Sequence, residues 1–273
     1  MLSDRLAVSI LLIPVAMWVV VLGGLVYLGT MVALMIAAVF EYDRLFRAGG
    51  CRPALPVLVT GVALFVAAAY FPLLNSAQVL VPFAVLAALT WHLIDYERGA
   101  PASGTDFVVT LGGIIYLGGL GSYFVALRNV PDGLWWFIAT LSAVWIVDSG
   151  AYVAGRTWGR HKFSPRLSPK KTWEGYVGGI VTGLFFSGLL SVAWQFGAGP
   201  TSLFTWQKGA VLGGIIGVVS PVGDLGVSMI KRQVGLKDAG DVMPGHGGVL
   251  DRIDSWLVAV TLGYYFALWL GAL

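Results

Sequence analysis

Charge is scarce in this sequence. Asp, Glu, Lys and Arg make up 11% of its 273 residues and hydrophobic residues 58%, whereas soluble domains carry about 25% charged and about 45–50% apolar residues. An ordinary water-soluble domain is excluded. Cysteine is scarcer still: Cys51 is the only one, so no internal disulfide exists, and in a charged loop it is expected to be inert. The three histidines, His92, His161 and His246, stand at no zinc-ligand spacing, which argues against zinc. The formal net charge is only +3, and its cations lie in short loops beside apolar runs. That distribution is topological and does not point to nucleic acid.

What the sequence has in abundance is apolar runs. A hydrocarbon core of roughly 30 Å asks for about 20 apolar residues per helix, and an all-α polytopic membrane protein is expected, with about nine spans near 6–22, 25–46, 54–71, 77–94, 106–127, 134–155, 176–196, 208–230 and 255–272. The run from Leu6 to Phe40 shows no break suited to cleavage, so retained helices are expected there, with Gly23-Gly24 as their turn. Glu41, Asp43, Arg44, Arg47 and Arg52 are assigned to the following loop. Five glycines in the fifth span (Gly112, Gly113, Gly118, Gly119 and Gly121) favour close helix packing. Residues 1–133 form an N-terminal region of five spans. Residues 134–273 form a second region with polar loops at 156–175 and 231–254.

A cytoplasmic N-terminus places every Lys and Arg except Arg128 and Lys208 on the cytoplasmic side, as the positive-inside rule requires. Both long polar loops then share one face. The expected location is the cytoplasmic (inner) membrane, with the working end turned to the cytoplasm.

The densest polar stretch runs from Asp224 to Asp254 and holds five Asp, two Lys, two Arg and His246. Asp148 and Asp224 each lie eight residues before an arginine that ends a span, Arg156 and Arg232 respectively. At 1.5 Å per residue both carboxylates sit about 12 Å below those charges, a depth that suggests one shared pocket. Ser220, Asp224, Ser228 and Arg232 repeat at every fourth position and share a helix face. Pro221 and Gly223 should disturb that helix beside Asp224, which is tolerable in a membrane only next to a cavity. Intramembrane acids are functional by default, the plainer reading being structural pairing with a basic neighbour. For Asp251 and Asp254, at the start of the last helix, the plainer reading is compensation of the helix dipole.

Gly245, Gly247 and Gly248 flank His246 and let backbone N–H groups approach an anion. Lys231, Arg232, Lys237 and Arg252 add fixed positive charge. Acids, clustered cations and a glycine turn together suit phosphate chemistry through Mg²⁺. The 156–175 loop repeats the theme with Arg156, Arg160, Lys162, Arg166, Lys170 and Lys171. Ser168-Pro169 and Thr172 are good helix-start residues, so a short interfacial helix is expected within it. A polybasic strip lying on anionic lipid is the competing reading.

Ser228-Met-Ile-Lys231-Arg232, Lys237-Asp238, Pro244-Gly-His246-Gly-Gly and Asp251-Arg252-Ile-Asp254 resemble, in order and spacing, the signature of the phosphatidate cytidylyltransferases. Asp148-Ser-Gly-Ala-Tyr with Gly155-Arg156, and Ser168-Pro-Lys-Lys-Thr-Trp-Glu-Gly175, look like that family's second region. The resemblance is specific over about 140–255. It implies a membrane enzyme that joins CTP to phosphatidate, giving CDP-diacylglycerol and pyrophosphate with Mg²⁺, the number of cations staying open. On that resemblance Asp224 and Asp251 would hold the metal, with Asp148 or Asp254 as further ligands. Lys231, Arg232 and His246 would act at the reacting phosphates, and Lys170, Lys171, Lys237, Arg252, Gly247 and Gly248 would bind the nucleotide. Membrane lipids are the expected surroundings, and a homodimer is left open by the glycine-rich faces of the fifth and seventh spans. A nucleotide-dependent lipid kinase of related fold is the nearest alternative. A CDP-alcohol phosphotransferase is disfavoured because its acids belong to one helix-borne motif. A transporter is disfavoured because no inverted repeat is evident.

Overall fold

The computed structural model describes residues 14–71, 77–199, 202, 204–240 and 247–270. In hydrocarbon every backbone N–H and C=O must be paired within its own segment, so the apolar runs fold as helices. A helix over residues 14–22 (α1) precedes α2 (Gly24–Ala48), α3 (Leu55–Ala68), α4 (Ala77–Glu97) and α5 (Ser103–Gly113). A π-helical turn, Ile114–Gly119, joins α5 to α6 (Leu120–Asn129). Then follow α7 (Gly133–Trp158), β1 (Lys162–Ser164), β2 (Ser168–Thr172), α8 (Trp173–Ala198), α9 (Trp206–Val219), α10 (Pro221–Gln233) and α11 (Leu250–Trp269). Gly23 separates α1 from α2 and Gly24 begins α2, at φ of 64° and 58°, values that crowd any residue with a Cβ.

The class is all-α and membrane-spanning, with three differences from expectation. Among the described residues six helical stretches are long and apolar enough to cross a membrane: Gly24–Ala48, Gln78–Glu97, Ser103–Asn129, Gly133–Trp158, Trp173–Ala198 and Trp206–Gln233. Of the other three expected spans, the first (6–22) lies partly outside the described residues, α3 is only 14 residues long, and α11 carries Asp251, Arg252 and Asp254 within its first five positions. Glu41, Asp43, Arg44 and Arg47 lie on the last turns of α2 and not in a loop, since Glu41 and Asp43 have partners that allow them to be buried. The basic segment after α7 folds as an antiparallel hairpin, Lys162 opposite Thr172 and Ser164 opposite Ser168, and not as a helix. Pro169, which has no N–H, is tolerated in a two-stranded ribbon where each strand has a free edge. Pro244 to His246 lie outside the described residues, as does Arg5.

The chain forms two compact units, Met1–Val125 with Ile230–Arg252, and Ala126–Met229 with Ile253–Leu273. In the first, α2, α3 and the π turn meet where glycine leaves room. A Cβ on Gly113 would strike Leu58 and Tyr42, one on Gly118 would press on Val62 and Phe65, and one on Gly121 would strike Met35. Tyr27 donates to the Phe124 carbonyl (2.8 Å) and Tyr42 to that of Val109 (2.9 Å). His92 shares the Thr110 hydroxyl (2.8 Å), which also accepts from the Ala54 N–H (3.0 Å). This histidine is structural.

In the second unit α7, α8 and α9 approach through small residues: Gly150 against Thr182, Gly179 against Ala151, Gly183 against Gly213. Away from these contacts the unit is closed by aromatics, with buried Trp136 edge-on to Phe204 at 5.0 Å and to Phe266 at 6.1 Å.

Candidate active site

The close approach of α7 to α8 leaves a pocket of about 450 Å³ at their hairpin end, within the usual range for small-molecule sites of roughly 300–1,000 Å³. Asp148 of α7 and Asp224 of α10 both line it, with Arg156, Lys170 and Lys171. Thus two carboxylates and three cations share one cavity in a bundle otherwise nearly free of charge.

Each of these side chains has a local reason for its place. Pro221 cannot donate to the preceding turn, so the helix breaks at Ser220 and restarts as α10 with Asp224 in its first turn. There a carboxylate meets the favourable end of the helix dipole. The Val218 carbonyl, just before the break, accepts from the Tyr176 hydroxyl (2.9 Å). Ser228, one turn further on, donates to Asp224 Oδ1 (3.3 Å). Lys171 places its ammonium on Asp224 Oδ2.

The hairpin is what aims the lysines. Thr172 caps α8 by accepting from the Gly175 N–H (3.1 Å), and the Trp173 N–H donates to the His161 carbonyl (2.9 Å). Glu174 holds the other strand, accepting from the His161 backbone N–H (3.2 Å) and pairing with its Nδ1 (2.6 Å). Phe163 stacks on Tyr176 with centroids 5.0 Å apart and 19° between planes. These two rings and Tyr152 give the pocket an aromatic wall. Arg156 donates to the Tyr152 hydroxyl (2.9 Å), which ties that cation to the wall.

A second polar cluster belongs to the first unit. Lys231, only 8% exposed, donates to Asp251 Oδ1 at 2.5 Å. Asp251 Oδ2 accepts from the Ala239 N–H (2.8 Å) and the Gly248 N–H (3.2 Å). Gly247 has φ of 79°, a conformation that suits glycine at this turn. Behind the turn stands Glu41, whose oxygens accept from the Val249 and Leu250 N–H groups, both at 2.8 Å.

The remaining candidates are distributed as follows. Asp254 is buried and accepts from the Ser255 N–H at 2.5 Å. Arg232 is exposed and donates to the Leu236 carbonyl (3.2 Å); Lys237 and Arg252 are exposed as well. His246 lies outside the described residues. Sequence reasoning missed Glu41 and the aromatic wall. An acid embedded in the apolar run of α2 was a usable signal for Glu41, whereas Phe163 and Tyr176 carry no signal that separates them from ordinary interfacial aromatics.

Among the described residues no group of three or more His, Cys, Asp and Glu could hold a metal by itself. Mg²⁺ does not need one. It is commonly bound through one or two carboxylates while phosphates and water complete its shell, and two carboxylates lining a cation-rich cavity fit that mode.

Fold and pocket define a class: a polytopic membrane protein whose helix bundle encloses an acidic and basic site suited to phosphoryl chemistry. The chain belongs to the cytidylyltransferase family, whose model matches residues 3–270, and is an enzyme of the nucleotidyl-transferring kind. It is 32% identical over 295 residues to a phosphatidate cytidylyltransferase of Synechocystis, covering 97% of this chain and 96% of the relative. It is 34% identical to the protein of that name in Pseudomonas aeruginosa (95% and 94% covered) and 30% identical to that in Bacillus subtilis (96% of each). The likeness spans the N-terminal helices as well as the polar segments.

Proposed function

We propose that this protein is a phosphatidate cytidylyltransferase that works at the cytoplasmic face of the membrane. One observation carries the reading: Asp148, Asp224, Lys170, Lys171 and Arg156 line one pocket in a chain similar over nearly its whole length to enzymes of that name. In the reaction a phosphatidate oxygen forms a bond to the α-phosphorus of CTP, and the bond from that phosphorus to the α–β bridging oxygen breaks. CDP-diacylglycerol and pyrophosphate result. The attacking phosphate is already ionised at neutral pH, so no general base is assigned.

Lys170, Lys171 and Arg156 bind and orient the triphosphate and offset charge on the pentacoordinate phosphorus and the departing pyrophosphate. Asp148 and Asp224 would hold Mg²⁺, which supplies charge neutralisation at the phosphate oxygens when bound. Asp224, fixed by Ser228 and Lys171, is the more firmly oriented of the two. Asp251 keeps lone pairs for a cation on the oxygen that faces Lys231, since a carboxylate offers about four acceptor sites, and Lys231, Arg232, Lys237 and Arg252 are the cations of the first unit that would meet phosphate. The distribution of Lys and Arg supports the cytoplasmic orientation.

Purified protein given CTP, Mg²⁺ and phosphatidate in lipid nanodiscs should release pyrophosphate and accumulate CDP-diacylglycerol. No pyrophosphate from the folded wild-type protein removes the reading. Transfer of the nucleotide's terminal phosphate to a lipid alcohol would assign a kinase instead.

A further inference from the structure

Glu41 is 3% exposed on a membrane-embedded helix, where a carboxylate is costly unless its oxygens are satisfied. Its partners are the N–H groups of Val249 and Leu250, which lie 208 and 209 residues away. A helix leaves its first amides without internal partners and gathers positive potential there, so a buried anion at the start of α11 satisfies both needs. The turn is shaped around this anion. A Cβ on Gly240 or on Gly248 would fall 2.5 Å from Glu41 Oε1 or Oε2 respectively. Glycine is therefore required at both positions by contact with the carboxylate, apart from any need to approach a ligand.

The same turn is held from its other side by Asp251, which accepts from the amides of Ala239 and Gly248. Glu41 and Asp251 thus grip neighbouring links of one piece of backbone. Gly248 takes part in both contacts, packing on Glu41 and donating to Asp251. If the Glu41 bonds are lost, the amides of Val249 and Leu250 are free to turn toward other acceptors and Gly248 loses the surface it rests on. The Asp251 carboxylate would then lose its fixed position, and so would the Lys231 ammonium paired with it.

We infer that Glu41 is a positioning residue: by fastening Val249 and Leu250 it holds the Gly248 amide on the Asp251 carboxylate and thereby sets the Lys231 ammonium, the group assigned to a phosphate of CTP. The kinetic part of the inference rests on the proposed function, while the structural part does not. A residue that served stability alone would lower the yield of folded enzyme and leave the KM of CTP unchanged.

The experiment uses Glu41→Gln and Val249→Pro in the full-length protein. Gln replaces one acceptor by a donor, and Pro deletes one of the two amides while leaving Glu41 in place; Val249 directly precedes α11, so no bond within the helix is lost. Two measurements are made on protein that melts cooperatively. Hydrogen exchange of the 247–252 amides should accelerate in both variants. The KM of CTP should rise on the order of 10-fold or more, as when the residue supporting a ligand is lost, while that of phosphatidate changes less than about 3-fold. Exchange as in the wild type in both variants overturns the inference, as does an unchanged KM of CTP in an active variant. If the wild-type protein shows no cytidylyl transfer, the proposed function fails and the exchange data alone decide the role of Glu41. If Glu41→Gln does not fold, Val249→Pro carries both measurements.

Discussion

Lys171, on the second strand of the hairpin, sets its ammonium against Oδ2 of Asp224, on the first turn of α10. The pair joins a group that would bind phosphate to one that would bind the cation. Its side chains are 31% and 38% exposed, so solvent screens the attraction and little stability is expected from it. Its value lies in placing opposite charges at the pocket before substrate arrives. Lys171→Gln should therefore leave the melting temperature within about 2 °C of wild type and lower kcat/KM by about 100-fold or more, the usual loss for a charge-stabilising donor. Lys171→Arg should recover part of that activity. Pyrophosphate release measured at matched levels of folded protein decides, and wild-type kcat/KM in Lys171→Gln would remove the residue from the site.

The two pocket acids should respond differently to metal. Chelation with EDTA should abolish turnover, and Mg²⁺ should restore it. Asp224 is fixed by Ser228 as well as by Lys171, so Asp224→Asn should be inactive at any Mg²⁺ concentration. Asp148→Asn should raise the Mg²⁺ needed for half-maximal rate by about 10–100-fold and be partly rescued by excess metal. Full activity of Asp224→Asn at high Mg²⁺ would show that Asp224 is not a ligand.

The helices were legible in the sequence because hydrocarbon allows few alternatives to them, and the break at Pro221 was legible because a missing N–H has a fixed consequence. The spacing of Asp148 and Asp224 from Arg156 and Arg232 sets both acids at similar depth, and they line one pocket. The hairpin was not legible. Strands of three and five residues are too short for alternation to show, and Ser-Pro followed by Thr reads equally well as a helix start. Thr172 does start α8, but only after the strand. Glu41 was the largest omission. Its partners are 208 and 209 residues away, and no local pattern reveals which distant amides an isolated acid will satisfy.

Glycine contacts within the second unit make a prediction about stability. A Cβ on Gly183 would lie 2.6 Å from the Gly213 carbonyl oxygen and 2.7 Å from Val147 Cγ2, and a backbone carbonyl cannot swing aside as a long side chain can. Gly183→Ala should cost about 1–3 kcal/mol through overpacking and lower the apparent melting temperature by several degrees. Gly29, on α2, has nothing within 4 Å of the corresponding position, so Gly29→Ala should be neutral or slightly stabilising, since alanine is the better helix former. Equal melting temperatures for the two variants in the same detergent would contradict the close packing of α8 on α9.

Cys51 offers a test within the first unit. Burial first, and then the negative charge of Asp106, push its thiol above the ordinary range. The thiolate is the reactive form, so a raised pKa leaves less of it at any given pH. At pH 7.5 a water-soluble maleimide should label Cys51 more slowly than it labels an unstructured cysteine peptide, and the rate should still be climbing with pH where that of the peptide levels off. Asp106→Asn removes the smaller of the two influences and should speed labelling at fixed pH. The Arg52 N–H, which donates to Asp106 Oδ1 at 2.7 Å, can still bond to the amide oxygen of Asn, so the loop should keep its place. Labelling as fast as the peptide at pH 7.5 would show that the thiol is neither shielded nor electrostatically suppressed.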